Sequence, residues 1–331
     1  MLLSLRINHF LQLLLLSYSL TALKVVDKQL ANDANHGYDD DDDGDEKLPK
    51  LILISFDGFR HDYLENHTLP NLYKYFVNQG VKVANGLLNV FPTVTYPNHW
   101  SLATGLYAES HGIVANVMYD AVLNETFVDF QAHDNDTVWF DQFNQPMPIW
   151  LLNQEYSTPS QTRNSALFGS FPGGNVRIKN KSISYSFDYA NQMNWFERVN
   201  KLVDLLALSD KSEQKVNFGI LYFPEPDETG HQFGPYSTQL AQMLIKCDQL
   251  VGYLIEKLSE YDLLDQVNII VTSDHGMDTA SADRAINLND YIDISKFKSY
   301  GGLTQINIFP VNGNHYNHIC IACAIIKLLY S

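Results

Sequence analysis

A threonine two residues ahead of a proline is the first group in this sequence able to do chemistry, in Phe91-Pro92-Thr93-Val94-Thr95-Tyr96-Pro97-Asn98-His99-Trp100-Ser101-Leu102-Ala103-Thr104-Gly105. Pro97 can open a helix and Gly105 can close it, which puts Thr95 near a cap whose unpaired backbone N–H groups point outward. Such a terminus favours a phosphate, and a hydroxyl beside that phosphate is a candidate nucleophile as well as a cap. On its own, Thr-x-Pro reads as a cap. Metal-type ligands elsewhere change that reading: Asp57 before Gly58, Asp227 with His231, and adjacent Asp274 and His275 before Gly276. Carboxylate oxygen and imidazole nitrogen suit zinc, and two such ions about 3.5–4 Å apart can hold the entering and leaving oxygens of an in-line phosphoryl displacement. Each residue alone reads as a cap or a salt-bridge partner, whereas the set reads as a metal centre. Bound zinc would lower the pKa of the Thr95 hydroxyl, a covalent phosphothreonine would form, and water would then cleave it. Asn116 could donate an amide N–H to a phosphoryl oxygen, although an Asn in a loop is also an ordinary turn former.

These side chains need elements that deliver them to one place. Leu51–Phe56, Phe218–Phe223 and Val267–Ser273 are continuous apolar runs, expected as strands buried on both faces of a parallel sheet. They lead to Asp57, Asp227 and Asp274 respectively, and ligands of open α/β sheets bind at the carboxyl ends of strands. Trp195–Leu208 and Ser237–Glu260 have the apolar spacing and length of crossover helices. Helical spacing over Pro70–Phe76 ends at Gly80, and Val81–Val90 reads as a further strand entering the Thr95 loop. Pro224, Pro226 and Gly230 predict a loop, rather than a helix, for Asp227 and His231. Residues 121–190, rich in aromatics, Pro, Gly and Asn, read as a substrate-side insertion with short elements. The fold class expected is α/β, a central mostly parallel sheet with helices on both faces.

A chain of 331 residues with 45% hydrophobic residues can build one large core. Its formal charge of -16 excludes a nucleic-acid duplex as the main partner, since no basic surplus exists to displace counterions. Part of that charge is local, in Asp39–Asp43 with Asp45 and Glu46, a solvated acidic linker. Residues 1–22, with Arg6 ahead of a leucine-rich run and small residues after it, read as a secretory signal, with an uncleaved anchor as the other reading. Residues 23–47 read as the acidic linker, 48–310 as a catalytic domain and 311–331 as a divergent tail. Sequons at Asn66, Asn124, Asn135 and Asn180 agree with a secreted or extracellular route. Cys247 sits on an apolar helix face as a buried thiol, and Cys320 with Cys323 has no second pair to make a zinc site.

Four ordered stretches carry a resemblance: Ile54-Ser55-Phe56-Asp57-Gly58-Phe59-Arg60, Pro92-Thr93-Val94-Thr95-Tyr96-Pro97-Asn98-His99, Thr104-Gly105-Leu106-Tyr107-Ala108-Glu109-Ser110-His111-Gly112-Ile113, and Thr272-Ser273-Asp274-His275-Gly276-Met277. Together they resemble the ectonucleotide pyrophosphatase/phosphodiesterase family, of the alkaline phosphatase superfamily, and most resemble its short membrane-anchored members. The resemblance implies one zinc held by Asp57, Thr95, Asp274 and His275, and a second by Asp227 and His231. It also implies a phosphate-binding role for Asn116, and a nucleotide substrate whose base stacks on Tyr96 and Tyr189.

The resemblance fades after Pro310. The family's third ligand to the second zinc, a histidine far beyond the Asp-His pair, has no counterpart, and His315 stands too early to replace it. The fold is therefore expected to be incomplete at the C-terminus, without a C-terminal membrane span, because about 12 apolar residues cannot cross a 30 Å hydrocarbon layer as a helix. The function expected is that of an extracellular zinc-dependent nucleotide pyrophosphatase/phosphodiesterase releasing a nucleoside 5′-monophosphate. The alternative is a secreted glycoprotein with a substrate-binding shell and little or no catalysis. A sulfatase reading fits less well, because the Thr95 loop lacks C/S-x-P-x-R.

Overall fold

The computed structural model describes residues 23–25, 48–128, 137–141, 147–187, 193–208, 212–301 and 305–311. The leader, most of the acidic linker and of the tail, Asn135, Tyr189, His315, Cys320 and Cys323 lie outside these residues. The strands in chain order are β1 (Leu23–Val25), β2 (Lys50–Phe56), β3 (Gly80–Val81), β4 (Val117–Asp120), β5 (Glu125–Val128), β6 (Ser165–Phe168), β7 (Tyr185–Phe187), β8 (Phe218–Phe223), β9 (Val267–Thr272), β10 (Phe297–Gly301) and β11 (Ile306–Pro310). Four helices matter below: α1 (Thr95–Thr104), α2 (Trp195–Ala207), α3 (Asp227–Phe233) and α4 (Thr238–Glu260). The chain forms two compact units, residues 1–113 with 134–278 and residues 114–133 with 279–331.

The first unit is built on a seven-stranded sheet in the order β3-β1-β9-β2-β8-β6-β7. From β9 to β7 every pairing is parallel, and β1 runs antiparallel to both β9 and β3. Burial explains the centre: every residue of β2 and of β8 is buried, which is what apolar runs without alternation require. Ile52, Ile54 and Phe56 point to one face and join the apolar faces of α2 and α4 in the main core. Ser55 points to the opposite face, toward α1. Helix α2 begins with a reciprocal cap: Asn194 Oδ1 accepts from Glu197 N at 3.0 Å, and Asn194 N donates to Glu197 Oε2 at 3.1 Å. Cys247 is fully buried in that core, and burial pushes its thiol up, as expected of a packing residue.

Three expectations are corrected. Val81–Val90 is not a strand: only Gly80–Val81 pairs, because Gly86 adopts a left-handed φ of 76° and turns the chain. Leu23–Val25, expected in the tether, pairs with β9 and β3. Asp227–Phe233 is a helix rather than a loop. Its prolines stand before the first turn, where a missing N–H costs nothing, and tertiary packing outweighs the weak propensity of Gly230.

In the second unit, β4 and β5 form an antiparallel hairpin whose turn is held by Asp120 Oδ1, which accepts from Val122 N at 2.7 Å and Leu123 N at 3.0 Å. Strands β10 and β11 form a second antiparallel pair, and the rings of Tyr119 and Tyr300 stack with centroids 4.6 Å apart. Among the described residues, no helix is long and apolar enough to cross a membrane.

Candidate active site

Register brings the acids together. In the parallel ladder Ser55 stands opposite both Tyr222 and Thr272, so the three central strands end level with one another. Asp57 N continues the ladder by donating to Phe223 O at 2.9 Å, and Asp227 N donates back to Asp57 O at 3.0 Å. Asp57, Asp274 and His275 each offer a ligand atom, and these atoms lie within 4.8 Å of one another. His275 Nε2 is 3.4 Å from Asp57 Oδ1, 3.3 Å from Asp274 Oδ2 and 3.3 Å from Thr95 Oγ1. Tetrahedral zinc, with bonds of about 2.0–2.2 Å, needs neighbouring donors about 3.2–3.6 Å apart. Measured from His275 Nε2, the three oxygens therefore stand at the donor-to-donor distance that such a shell requires.

The remaining lone pairs are already engaged. Tyr222 OH donates to Asp57 Oδ2 at 2.6 Å, and Asp274 Oδ1 accepts from Gly58 N at 3.1 Å and His275 N at 2.9 Å. What is left over is buried and lacks a hydrogen-bond partner: Asp57 Oδ1, Asp274 Oδ2 and Asp227 Oδ1. A buried carboxylate oxygen without a donor costs about 1–3 kcal/mol or more, so these oxygens are suited to a cation. The electrostatics agree. Burial, then the charges of Asp274 and Asp227, push Asp57 well above its ordinary value. For Asp274, burial also pushes upward, but the imidazoles of His275 and His99 and the Gly58 N–H outweigh it and hold the carboxyl below its usual range.

Asp227 and His231 lie one turn apart on α3, with His231 Nε2 3.3 Å from Asp227 Oδ2. The Asp227 carboxylate draws the His231 imidazole upward. Asp227 also leans over Gly58, whose φ is +68° and whose absent Cβ would stand 2.8 Å from Asp227 Cβ and Oδ1. Gly58 thus allows the two strand ends to approach. Gly58→Ala is expected to push Asp227 away from Asp57, to cost about 1–3 kcal/mol of stability for the strained backbone, and to lower metal content. Calorimetry and metal analysis of the purified variant check both effects.

Thr95 opens α1, with extended Val94 ahead of it and left-handed Gly105 closing the last turn, as the sequence predicts. The helix is anchored by Trp100, fully buried against Phe140 and Trp150. His111 braces it from the side: its Nδ1 accepts from Ile113 N at 3.1 Å, so Nε2 carries the proton, with Ser101 Oγ at 2.9 Å and Pro97 O at 3.2 Å. Burial lowers the His111 pKa from 6.5 to about 4. The folded state therefore binds this proton less tightly than the unfolded chain. Stability is expected to hold above pH 6.5 and to fall by about 3 kcal/mol as pH drops from 6.5 to about 4. Urea unfolding across that window should show this slope in the wild type and lose it in His111→Asn.

Two neighbours had no signal of their own in the sequence. Tyr222 is one, an alternate residue of an apolar strand. His99 is the other, within the Thr95 motif but on the buried face of the helix. Asn116 is half-buried at the bend before β4, in the second unit. The Tyr96 ring is half-buried, with its centroid 6.5 Å from that of Phe140. Asn66, Asn124 and Asn180 are exposed.

Comparison with known proteins is consistent with this geometry. Residues 51–320 match the family model described as type I phosphodiesterase / nucleotide pyrophosphatase. The chain is 42% identical to the Homo sapiens bis(5′-adenosyl)-triphosphatase ENPP4, over 80% of this chain and 54% of that protein. It is 37% identical to the Homo sapiens ectonucleotide pyrophosphatase/phosphodiesterase family member 5, over 80% and 52%. The chain thus spans about half the length of the curated relatives it matches. Among solved structures it is similar to an inactive threonine-to-alanine variant of murine ENPP5 in complex with AMP, with a TM-score of 0.70, 33% identity, and coverage of 83% of this chain and 69% of that one.

Proposed function

Because the chain belongs to the type I phosphodiesterase / nucleotide pyrophosphatase family, in the alkaline phosphatase superfamily, we propose that it hydrolyses phosphodiester or pyrophosphate bonds of nucleotides outside the cell, through a covalent Thr95 intermediate, and releases a nucleoside 5′-monophosphate. The observation that carries this reading is the pair of buried acid oxygens without a hydrogen-bond donor, Asp57 Oδ1 and Asp274 Oδ2, both within 3.4 Å of His275 Nε2, which itself lies 3.3 Å from Thr95 Oγ1. Asp57, Asp274, His275 and Thr95 would hold one zinc, and Asp227 with His231 a second, completed by solvent or by donors outside the described residues. The metals would supply positive charge that favours ionised Thr95 and offsets the phosphate's negative charge.

The residues of the chain do the rest. Thr95 sits in the first turn of α1, whose positive dipole end favours the incoming phosphate, and its hydroxyl would attack phosphorus in line with the leaving alcohol or phosphate. Tyr222 orients Asp57, and the Gly58 and His275 amides orient Asp274 and favour its ionised form. Asn116 would bind a phosphoryl oxygen, and Tyr96 and Tyr189 would stack on the base. An AMP complex of a similar structure, and the triphosphatase name of a relative, support a nucleotide substrate. Exposure of Asn66, Asn124 and Asn180 supports an exported, glycosylated protein.

The test is product analysis. Zinc-loaded protein should release thymidine 5′-monophosphate from its chromogenic ester, and AMP from bis(5′-adenosyl) triphosphate. Chelation should stop both reactions and zinc should restore them. A folded, zinc-loaded chain that releases neither would overturn the proposal in favour of a binding shell without catalysis.

A further inference from the structure

We propose that His99 is a positioning residue that locks the nucleophile's helix to the acid cluster, through a fixed Nδ1–H tautomer. The inference rests on the reading above, in which Thr95 and Asp274 belong to one reaction centre. His99 is fully buried and bridges three elements. Its Nδ1 lies 3.0 Å from the backbone oxygen of Thr95, and its Nε2 lies 2.9 Å from Ser55 Oγ. A carbonyl oxygen can only accept, so the proton sits on Nδ1, and Nε2 must then accept from the Ser55 hydroxyl. Ser55 lies on β2 two residues before Asp57, and a period of two puts both on the same side of the sheet.

The same Nδ1 is 3.2 Å from Asp274 Oδ2, the oxygen that lacks a directed hydrogen bond and faces His275. The imidazole therefore sets the first turn of α1 against the ends of both β2 and β9. Aromatic edges hold the ring in plane: Phe171 and Tyr222 meet it nearly at right angles, with centroids at 4.7 and 5.2 Å. Tyr222 is also the donor to Asp57 Oδ2, so the ring that steadies His99 steadies the neighbouring acid as well. A residue that merely filled this space would need neither nitrogen. Both are used, and each fixes a different part of the centre.

The experiment compares His99→Phe, His99→Asn, His99→Gln and Ser55→Ala in the full chain, loaded with zinc or with cobalt(II). Asn places an N–H donor where Nδ1 stands, Gln places its amide nearer Nε2, and Phe keeps the volume without either group. His99→Phe and His99→Gln are expected to lower kcat about 10- to 100-fold with little change in KM, and to alter the visible absorption of the cobalt protein. His99→Asn should recover kcat to within a few-fold of wild type together with the wild-type cobalt spectrum. Ser55→Ala, remote from substrate, should lower kcat by a few-fold. A His99→Phe protein with lowered thermal stability but unchanged kcat and cobalt spectrum would overturn the inference. So would failure of His99→Asn to outperform His99→Gln. Failure of the underlying reading looks different: wild-type protein would then show no cobalt spectrum and no dependence of turnover on Thr95.

Discussion

Thr95→Ala is expected to slow nucleotide phosphodiester hydrolysis by at least about a thousandfold, while leaving the fold intact and the metal content only modestly reduced. Among the described residues, the two other hydroxyls that touch the acid cluster are committed elsewhere. Ser273 Oγ accepts from Phe59 N at 2.9 Å and donates to His275 O at 2.8 Å, which ties it to the backbone. The Tyr222 hydroxyl is committed to Asp57 Oδ2, and burial, then the neighbouring Asp57 charge, pushes its pKa well above the ordinary value. Three donors remain for the first metal in the variant, Asp57, Asp274 and His275, so binding of metal and nucleotide should persist. Thr95→Ser should keep a measurable part of the activity, because the oxygen remains at the first residue of α1. Steady-state turnover with metal analysis on the same preparations checks this, and a Thr95→Ala protein with near-wild-type turnover would remove the covalent mechanism.

Asp57→Asn should separate stability from function in the opposite direction. In metal-free protein Asp57 is buried and faces Asp274 and Asp227, which together push its pKa well above the usual 3.8. The folded state then holds this proton more tightly than the unfolded chain, so the contribution of Asp57 to the stability of the metal-free protein is fully present below that ordinary value. That contribution is lost as pH rises from there through the raised folded value. An amide has no such slope and can still accept from Tyr222. Metal-stripped Asp57→Asn is therefore expected to melt at or above metal-stripped wild type at neutral pH.

Adding zinc should reverse the order. Wild type should gain about 2.7 kcal/mol at a metal concentration near a hundred times its Kd, whereas Asp57→Asn should gain little and turn over little. Thermal melts of both proteins, with chelator and with zinc, read all four states. A variant that zinc stabilises as strongly as wild type would show that Asp57 is not a ligand.

Much of the site was legible because its residues stand at strand ends. The apolar runs that became β2, β8 and β9 contain too little polarity for a half-exposed sheet, so a doubly covered parallel sheet was the physical option, and its carboxyl edge collected Asp57, Asp227 and Asp274. Gly105 marked the end of α1 because a left-handed φ there is open to glycine at low cost. The helix at Asp227 was misread, since local propensity counts proline and glycine against it, whereas packing against the Asp57 loop decides the conformation. His99 and Tyr222 escaped notice for a related reason. A buried polar residue in a motif reveals its type, but not the partner it satisfies.

The sequence by itself determined the inventory of this protein: a parallel-sheet core, a hydroxyl at a helix start, three acids and two histidines in the segments that follow strands, and four motifs that resemble one family. Tertiary structure decided what that inventory becomes. Only the register of β9, β2 and β8 places Asp57 Oδ1, Asp274 Oδ2 and Thr95 Oγ1 around His275 Nε2, and only the crowded interior shows which oxygens have a hydrogen-bond donor and which do not. The physical reason is range. Local pattern sets which face of an element is buried, but hydrogen-bond and charge partners a hundred or more residues apart are fixed only once those faces close on one another.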